Sequence, residues 1–227
     1  VSTVKAPREW PRPAASRAFS LYKKATAGPY FKTMKKALFA VAVFLAFLCI
    51  GSAVGSRYAF GAGSTDMFLL TFGKGRIEVK LYSDYFCGAC KNLEPNVEYL
   101  IADLVERNII SITFVDAPLH KHSPLYARYF LYVLNAKKEI GHALKARRAL
   151  FEAAKQNISD SGKLESLLTA KGFKLKPFDA APVFLVLQGY LRSDNIRATP
   201  TAVTLRGGRK EVHQGVPGIT GMFESLK

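Results

Sequence analysis

Leu81-Tyr82-Ser83-Asp84-Tyr85-Phe86-Cys87-Gly88-Ala89-Cys90-Lys91 joins an apolar, β-prone run to a helical pattern, with a Cys-x-x-Cys pair at the junction. Two thiols at that spacing, at the mouth of a helix, can close a short disulfide and open it again. The first turn of a helix has unpaired N–H groups and the positive end of the helix dipole. Both favour a thiolate, so Cys87 is expected to ionise below the range of a free thiol. The competing readings are a zinc half-site and two inert buried thiols. A structural zinc site wants four ligands, whereas the only other cysteine, Cys49, lies inside an apolar run and no His-x3-5-His pair follows.

The charge of the chain has to be divided before it means anything. The 227 residues carry 33 Lys/Arg against 17 Asp/Glu, a net of +16. Residues 1–55 hold nine of those bases and one acid, so the remainder is only moderately basic. No basic stripe with interleaved aromatics appears, so no nucleic-acid partner is expected. The densest cluster, Lys145, Arg147 and Arg148, reads as a solvated helix face. With 49% hydrophobic residues the chain can build a real core.

Four regions follow from the patterning. Residues 1–33 are basic, contain Pro7, Pro11, Pro13 and Pro29, and read as a disordered leader. Met34-Lys35-Lys36 reads as the translation start, which would leave the leader untranslated. Residues 34–55 have the layout of an export signal: two lysines, an unbroken apolar run from Ala37 to Ile50, then Gly51-Ser52-Ala53-Val54-Gly55. Ala53 and Gly55 suit a cleavage site after Gly55. An uncleaved span is the other form, since residues 37–55 would make a helix of about 28 Å, just enough to cross a bilayer core. Cys49 reads as a small apolar residue of that segment. Residues 56–66 are a Gly/Ser-rich linker, and 67–227 form the domain. Export puts the domain in an oxidising compartment of the cell envelope, where its two cysteines, too close together to staple a fold, are expected to react.

Within the domain, Met67–Phe72 and Arg76–Tyr82 read as strands around the turn signal Gly73-Lys74-Gly75. A helix begins near Cys87 and carries an apolar stripe through Leu93, Val97, Leu100, Ile101, Leu104 and Val105, with Pro95 expected to kink it. Ile109–Val115 is β-branched and completes a βαβ unit, with a right-handed crossover expected. Four helical patterns follow: one from an Ser123-Pro124 N-terminus with Ser123 as cap, then Ile140–Gln156, Gly162–Ala170, and one capped by Asp179. Ala202–Leu205, a Gly207-Gly208 turn and Lys210–Gln214 make a hairpin. Ile219–Lys227 fits a short terminal helix.

With these residues placed, the chain resembles exported DsbA-like thiol–disulfide oxidoreductases of the thioredoxin superfamily over most of residues 67–227. Ser83 to Cys90 resembles the active-site turn, and Pro95 the kink proline of the helix after it. Phe114 to His122, with Pro118-Leu119 inside, resembles the Phe-Pro-Leu…His stretch after the second strand. The helices at about 123–192 stand where that family inserts a helical subdomain. Ala198-Thr199-Pro200-Thr201 resembles its Gly-Thr-Pro-Thr signature, in which the proline is cis.

The resemblance implies an α/β thioredoxin fold with an inserted helical subdomain, behind an N-terminal signal or anchor. It implies catalysis by Cys87, as the exposed sulfur, and Cys90, as the buried resolving thiol. Thr199 and Pro200 would hold an extended substrate, and Tyr85 and Phe86, with Ala89, would form an apolar rim. Partners would be cysteine-containing exported proteins and a membrane redox protein that recycles the pair. No organic cofactor and no metal are implied, and a monomer is expected. Three departures bear on the chemistry. Gly88-Ala89 replaces the usual Pro-His, which should make the disulfide less oxidising. Leu81 stands where many relatives have a buried acid, so proton transfer to Cys90 falls to Glu78, Lys80, Asp84 or water. Thr199 is shared with isomerase-type and reductive members, which leaves the direction of electron flow open. The rivals from other classes are a copper(I) carrier on the two thiolates, with His120, His122 or His213 as an added ligand, and a binding scaffold with incidental cysteines.

Overall fold

The computed structural model describes residues 70–227. The leader, the export segment and the linker lie outside the described residues. Five strands form one sheet: β1 (Thr71–Phe72), β2 (Ile77–Ser83), β3 (Ile110–Asp116), β4 (Thr201–Arg206) and β5 (Arg209–Gln214), in the order β1-β3-β2-β4-β5. Helix α1 (Gly88–Glu106) connects β2 to its parallel neighbour β3. The other pairings are antiparallel. Between β3 and β4 stand α2 (Ser123–Ala136), α3 (Ile140–Lys155), α4 (Ser161–Ala170) and α5 (Ala181–Ser193), and α6 (Gly215–Glu224) closes the chain. Among the described residues no helix is long and apolar enough to cross a membrane.

The first glycine turn differs from expectation. It does not fold β1 back onto β2, because β1 pairs with β3 instead. The link from β1 to β2 must therefore cross the beginning of β3, and it does so at contact distance. Gly75 donates its N–H to Ile110 O at 3.2 Å. A Cβ on Gly75 would lie 2.2 Å from the Ile109 carbonyl carbon and the Ile110 nitrogen. Backbone cannot yield as a side-chain tip can, so Gly75→Ala is expected to cost about 2 kcal/mol or more. Gly141→Ala on α3, where nothing lies within 4 Å of the added carbon, should be neutral or stabilising. Thermal denaturation of the two variants checks the pair.

β2 keeps the expected alternation: Ile77, Val79 and Leu81 are buried, and Glu78 is exposed. Near its C-terminal end both faces are covered, since Tyr82 and Ser83 are also buried. The end of α5 covers the Tyr82 face, where the Tyr82 hydroxyl meets Asp194 and the Tyr190 carbonyl, and one apolar cluster runs from Leu70 through Phe130 and Phe151 to Phe223. α1 packs against α3 and α6. Each large apolar side chain so buried contributes about 1.5–3 kcal/mol relative to exposure. Pro95 sits on the exposed face of α1, and the helix runs through it to Glu106. Water can reach the carbonyl left without a partner there.

Four helices stop in the same way. Asn108, Asn157, Gly172 and Asn195 have φ between 51° and 84°, just past the ends of α1, α3, α4 and α5. The next residue in each case is apolar, and its N–H reaches back six residues' span to a helix carbonyl: Ile109 to Leu104, Ile158 to Ala153, Phe173 to Leu168 and Ile196 to Leu191. This is the Schellman closure, which satisfies carbonyls that a helix end otherwise leaves bare. At the start of α2 the expected cap is corrected. Ser123 is the first helical residue, and its hydroxyl is drawn away to Asp84. The Asp179 cap is corrected too: the N-cap of α5 is Ala180, and the Asp179 carboxylate, one residue further out, accepts the Ala181 N–H at 3.0 Å.

Candidate active site

Cys87 is the N-cap of α1, in extended backbone (φ −71°, ψ 123°). Cys90 lies one turn in, and both are free thiols. The Cys87 Sγ–H donates to the Thr199 carbonyl at 3.3 Å, and the Thr199–Pro200 peptide bond is cis. The sheet explains this meeting of distant residues. β2 and β4 are neighbours with Tyr82 opposite Thr201. The chain leaving β2 for Cys87 and the chain entering β4 through Pro200 therefore lie at the same end. The structure thus brings together Cys87, Cys90, Thr199 and Pro200, four of the six residues singled out in the sequence.

The environments of the two sulfurs differ. Hydrogen bonds from the Cys90 thiol, from the Thr199 side chain and from the backbone N–H groups of Cys90 and Ala89 outweigh burial and pull the Cys87 thiol down to about 5. Burial pushes Cys90 far up, and its bond to Cys87 adds to the rise. The Asp84 N–H approaches the Cys90 sulfur at 3.5 Å. This is the asymmetry a nucleophile and a resolving thiol need: one sulfur ionised at neutral pH, its neighbour protonated.

The exposure of Cys87 corrects an expectation. Only 4% of its surface is open, because the Thr199 carbonyl and the turn close over it. The opening lies beside it, at Gly88, which is exposed and would have nothing within 4 Å of an added Cβ. Tyr85 is corrected as well. It is 1% exposed, packs on Tyr126 and Phe151, and donates its hydroxyl to Asp116 Oδ2 at 3.3 Å. It belongs to the core and not to a substrate rim. Phe86 remains partly exposed, edge-on to Tyr126 and flanked by His120 and His122.

Asp84 holds the turn in shape. Its buried carboxylate accepts from Phe86 N (2.7 Å), Leu119 N (2.7 Å), His120 N (3.2 Å) and Ser123 Oγ (2.7 Å), and lies 3.1 Å from His120 Nδ1. It ties the cysteine turn to the β3–α2 connection. The three proposed proton carriers are thereby sorted. Glu78 is exposed, Lys80 is bound to Asp194 at 2.8 Å, and the Asp84 carboxylate is occupied. Asp194 also holds Lys210 at 2.7 Å and the Tyr82 hydroxyl, and these bonds overcome its burial and bring it down to about 2. Leu81 is fully buried in the sheet.

Arg147 departs from the solvated face expected of the cluster: it is fully buried, while Lys145 and Arg148 are exposed. From α3 it reaches behind the cysteine turn. Its guanidinium grips Glu94 of α1 at 2.7 and 3.1 Å, Ser83 Oγ at 2.8 Å and Asp116 Oδ1 at 3.4 Å. The Phe114 ring lies 4.5 Å beneath it. Burial works against its charge, but Glu94, Tyr85 and Asp116 outweigh that and hold it protonated. Burial in turn raises Asp116 to about 6, against the pull of Arg147 and Tyr85. The signal was present in the sequence. Leu144, Arg147 and Phe151 are spaced i, i+3, i+7, so this arginine falls on the apolar stripe of its helix.

Solved structures of similar shape were found, among them Wolbachia pipientis alpha-DsbA1 (TM-score 0.53, 16% identity, 72% of this chain and 96% of that one). A putative protein-disulfide isomerase from Pseudomonas syringae gives a TM-score of 0.57 at 12% identity, over 71% of this chain and 99% of that one. The catalytic domain of Proteus mirabilis ScsC gives 0.52 at 16%, over 73% and 96%. The chain has the DsbA-like thioredoxin fold. The four helices α2–α5 stand between β3 and β4, and α3 carries Arg147. No family model matches the chain, and no curated protein matches its sequence.

The copper-carrier reading gains no support from the DsbA-like arrangement. Among the described residues no three His, Cys, Asp or Glu side chains gather as a metal site. His120 is engaged with Asp84, and His213 lies on β5 with Nε2 3.4 Å from Thr204 Oγ1.

Proposed function

We propose that this protein is an exported thiol–disulfide oxidoreductase that exchanges disulfides with cysteine-containing proteins through Cys87 and Cys90. The observation that carries the reading is the placing of Cys87 Sγ at the mouth of α1, 3.3 Å from the carbonyl that precedes Pro200. Incidental cysteines have no reason to meet a Thr-Pro bend more than a hundred residues away in sequence. The DsbA-like fold supports the same chemistry, as does the split between the two thiols.

In the oxidised enzyme a substrate thiolate, approaching over Gly88, attacks Cys87 Sγ. The Cys87–Cys90 bond breaks, and Cys90 leaves and takes a proton. A second substrate thiolate then attacks the substrate sulfur of the mixed disulfide, and Cys87 departs as thiolate. One substrate disulfide forms and two electrons pass to the enzyme pair. One proton stays on Cys90 and one goes to solvent. Thr199 and Pro200 offer an extended substrate a backbone shelf, and Phe86 an apolar edge. Stabilising the Cys87 thiolate favours the reduced enzyme, so the disulfide tends to be given away. Export through residues 34–55 would supply an oxidising compartment, and a membrane redox partner would restore the pair.

The test is the equilibrium of the Cys87/Cys90 pair with glutathione, read by alkylation and mass. A single two-electron transition is expected, at a potential more oxidising than about −270 mV and less oxidising than about −120 mV. A pair that never forms an intramolecular disulfide across that range would sink the reading.

A further inference from the structure

Beside the Thr199 shelf, the β3–α2 and α5–β4 connections enclose a cleft of about 400 Å³ that the exchange steps do not use. Its floor is apolar, from Ala117, Leu119, Leu191 and Ile196. Arg192 and Arg197, both exposed, stand on its rim. One wall is fastened to the cysteine turn, since Ala117 N–H donates to Ser83 O at 2.8 Å and Leu119 N–H to Asp84. The other wall continues directly into the shelf through Ala198.

The charge on the rim has no answer within the described chain. The Arg192 guanidinium donates to Gln188 Oε1 at 3.1 Å, and Arg197 Nε donates to Asn195 Oδ1 at 3.2 Å. Both acceptors are neutral, and among the described residues neither arginine has an ion pair. Asp194, the acid nearest in sequence, is nearly buried and already shared by Lys80, Lys210 and Tyr82. An extended chain advances about 3.3 Å per residue. A peptide crossing the shelf with its cysteine beside the Thr199 carbonyl therefore reaches the cleft, which the adjoining Ala198 lines, within a few residues.

We propose that this cleft is a specificity subsite, which selects partner segments with an acidic residue next to an apolar one, a few positions from the reacting cysteine. The carboxylate pairs with the Arg192 and Arg197 guanidiniums, whose fork geometry suits it, and the apolar neighbour covers the floor. The inference rests on the disulfide-exchange reading above.

The probes are short single-cysteine peptides carrying Asp-Leu, Asn-Leu or Lys-Leu at those positions. Each is reacted with the oxidised protein at low salt, and its rate is divided by its rate with a small aromatic disulfide, which removes differences in intrinsic thiol reactivity. The wild-type protein should favour Asp-Leu over Lys-Leu by roughly five- to tenfold. Arg192→Gln with Arg197→Gln should bring the peptides to parity, and Arg192→Glu with Arg197→Glu should reverse the order. All these variants should react with dithiothreitol at the wild-type rate. Lys74→Glu with Arg76→Glu changes net charge equally at the other end of β2 and should keep the preference. Equal rates for all peptides with wild type, or an equal loss in the Lys74/Arg76 variant, overturns the subsite and leaves the exchange reading standing. Failure of the wild-type disulfide to react even with dithiothreitol overturns both.

Discussion

Replacing Cys87 with serine should abolish disulfide exchange, whereas replacing Cys90 with serine removes the disulfide that oxidation of a substrate needs but leaves the Cys87 thiolate able to attack a substrate disulfide, so mixed disulfides should accumulate. The difference follows from the roles of the two sulfurs: only Cys87 is placed to receive a substrate, and only Cys90 can release it from within. Ionisation gives the finer test. Alkylation of reduced Cys87 by iodoacetamide should rise with pH about a midpoint near 5, and Cys90 should stay unmodified under the same conditions. At pH 7 Cys87 would then hold about 30-fold more thiolate than a cysteine ionising near 8.5. The sign of the stability effect is also set. Because the folded value lies below the unfolded one, the reduced protein gains stability as pH rises from about 5 toward about 8.5. It loses that gain as pH falls back through 5. The Cys87→Ser variant should lack this pH dependence. A Cys87 midpoint near 8.5 would falsify the claim that the turn stabilises the thiolate.

Arg147→Met should be the most damaging substitution in α2–α5, with a loss of about 3–5 kcal/mol in denaturant melts and a fall of roughly 10 °C in Tm. The side chain removed is fully buried, and it leaves Glu94, Asp116 and Ser83 facing apolar walls without their shared donor. The penalty should depend on pH in a defined direction. Asp116 already ionises near 6 in the fold, above its unfolded value. Its contribution therefore favours folding below about pH 4 and is lost as pH rises through 6. Without Arg147 its ionisation becomes harder still, so the variant should lose more stability at pH 8 than at pH 5. Adding Glu94→Gln and Asp116→Asn should recover part of the loss, because the three side chains act as one network. A pH-independent loss with no recovery would mean that Arg147 contributes by packing on Phe114 alone.

The legible parts of this molecule were those in which local chemistry and global position agree. The cysteine pair at a strand–helix junction, the βαβ periodicities and the Gly207-Gly208 hairpin each appear where their patterns put them. Cys87 meets the Thr199 carbonyl because two neighbouring strands end there. What the sequence hid were partnerships across the core. Nothing in Gly73-Lys74-Gly75 says that β3 will slip between β1 and β2, since strand order depends on contacts distant in sequence. Tyr85, beside an active turn, looked like a surface aromatic, but the end of β2 is covered on both faces. Arg147, one base among three, lost its exposure to the demand of two buried carboxylates. Asp84 is a turn residue, yet three of its four donors come from the β3–α2 side and only Phe86 from the turn itself.

The Asn-Ile pair that ends α1, α3 and α5 has a consequence for chemistry in the last of these. Asn195 halts α5, and four residues later the chain presents Thr199 to Cys87. A helix extended by one residue would swing everything after it by about 100°, carrying the carbonyl away from the sulfur and Arg197 away from the cleft. The reach of this reactive centre is thus governed by a stop signal on a helix that contains none of its reacting atoms.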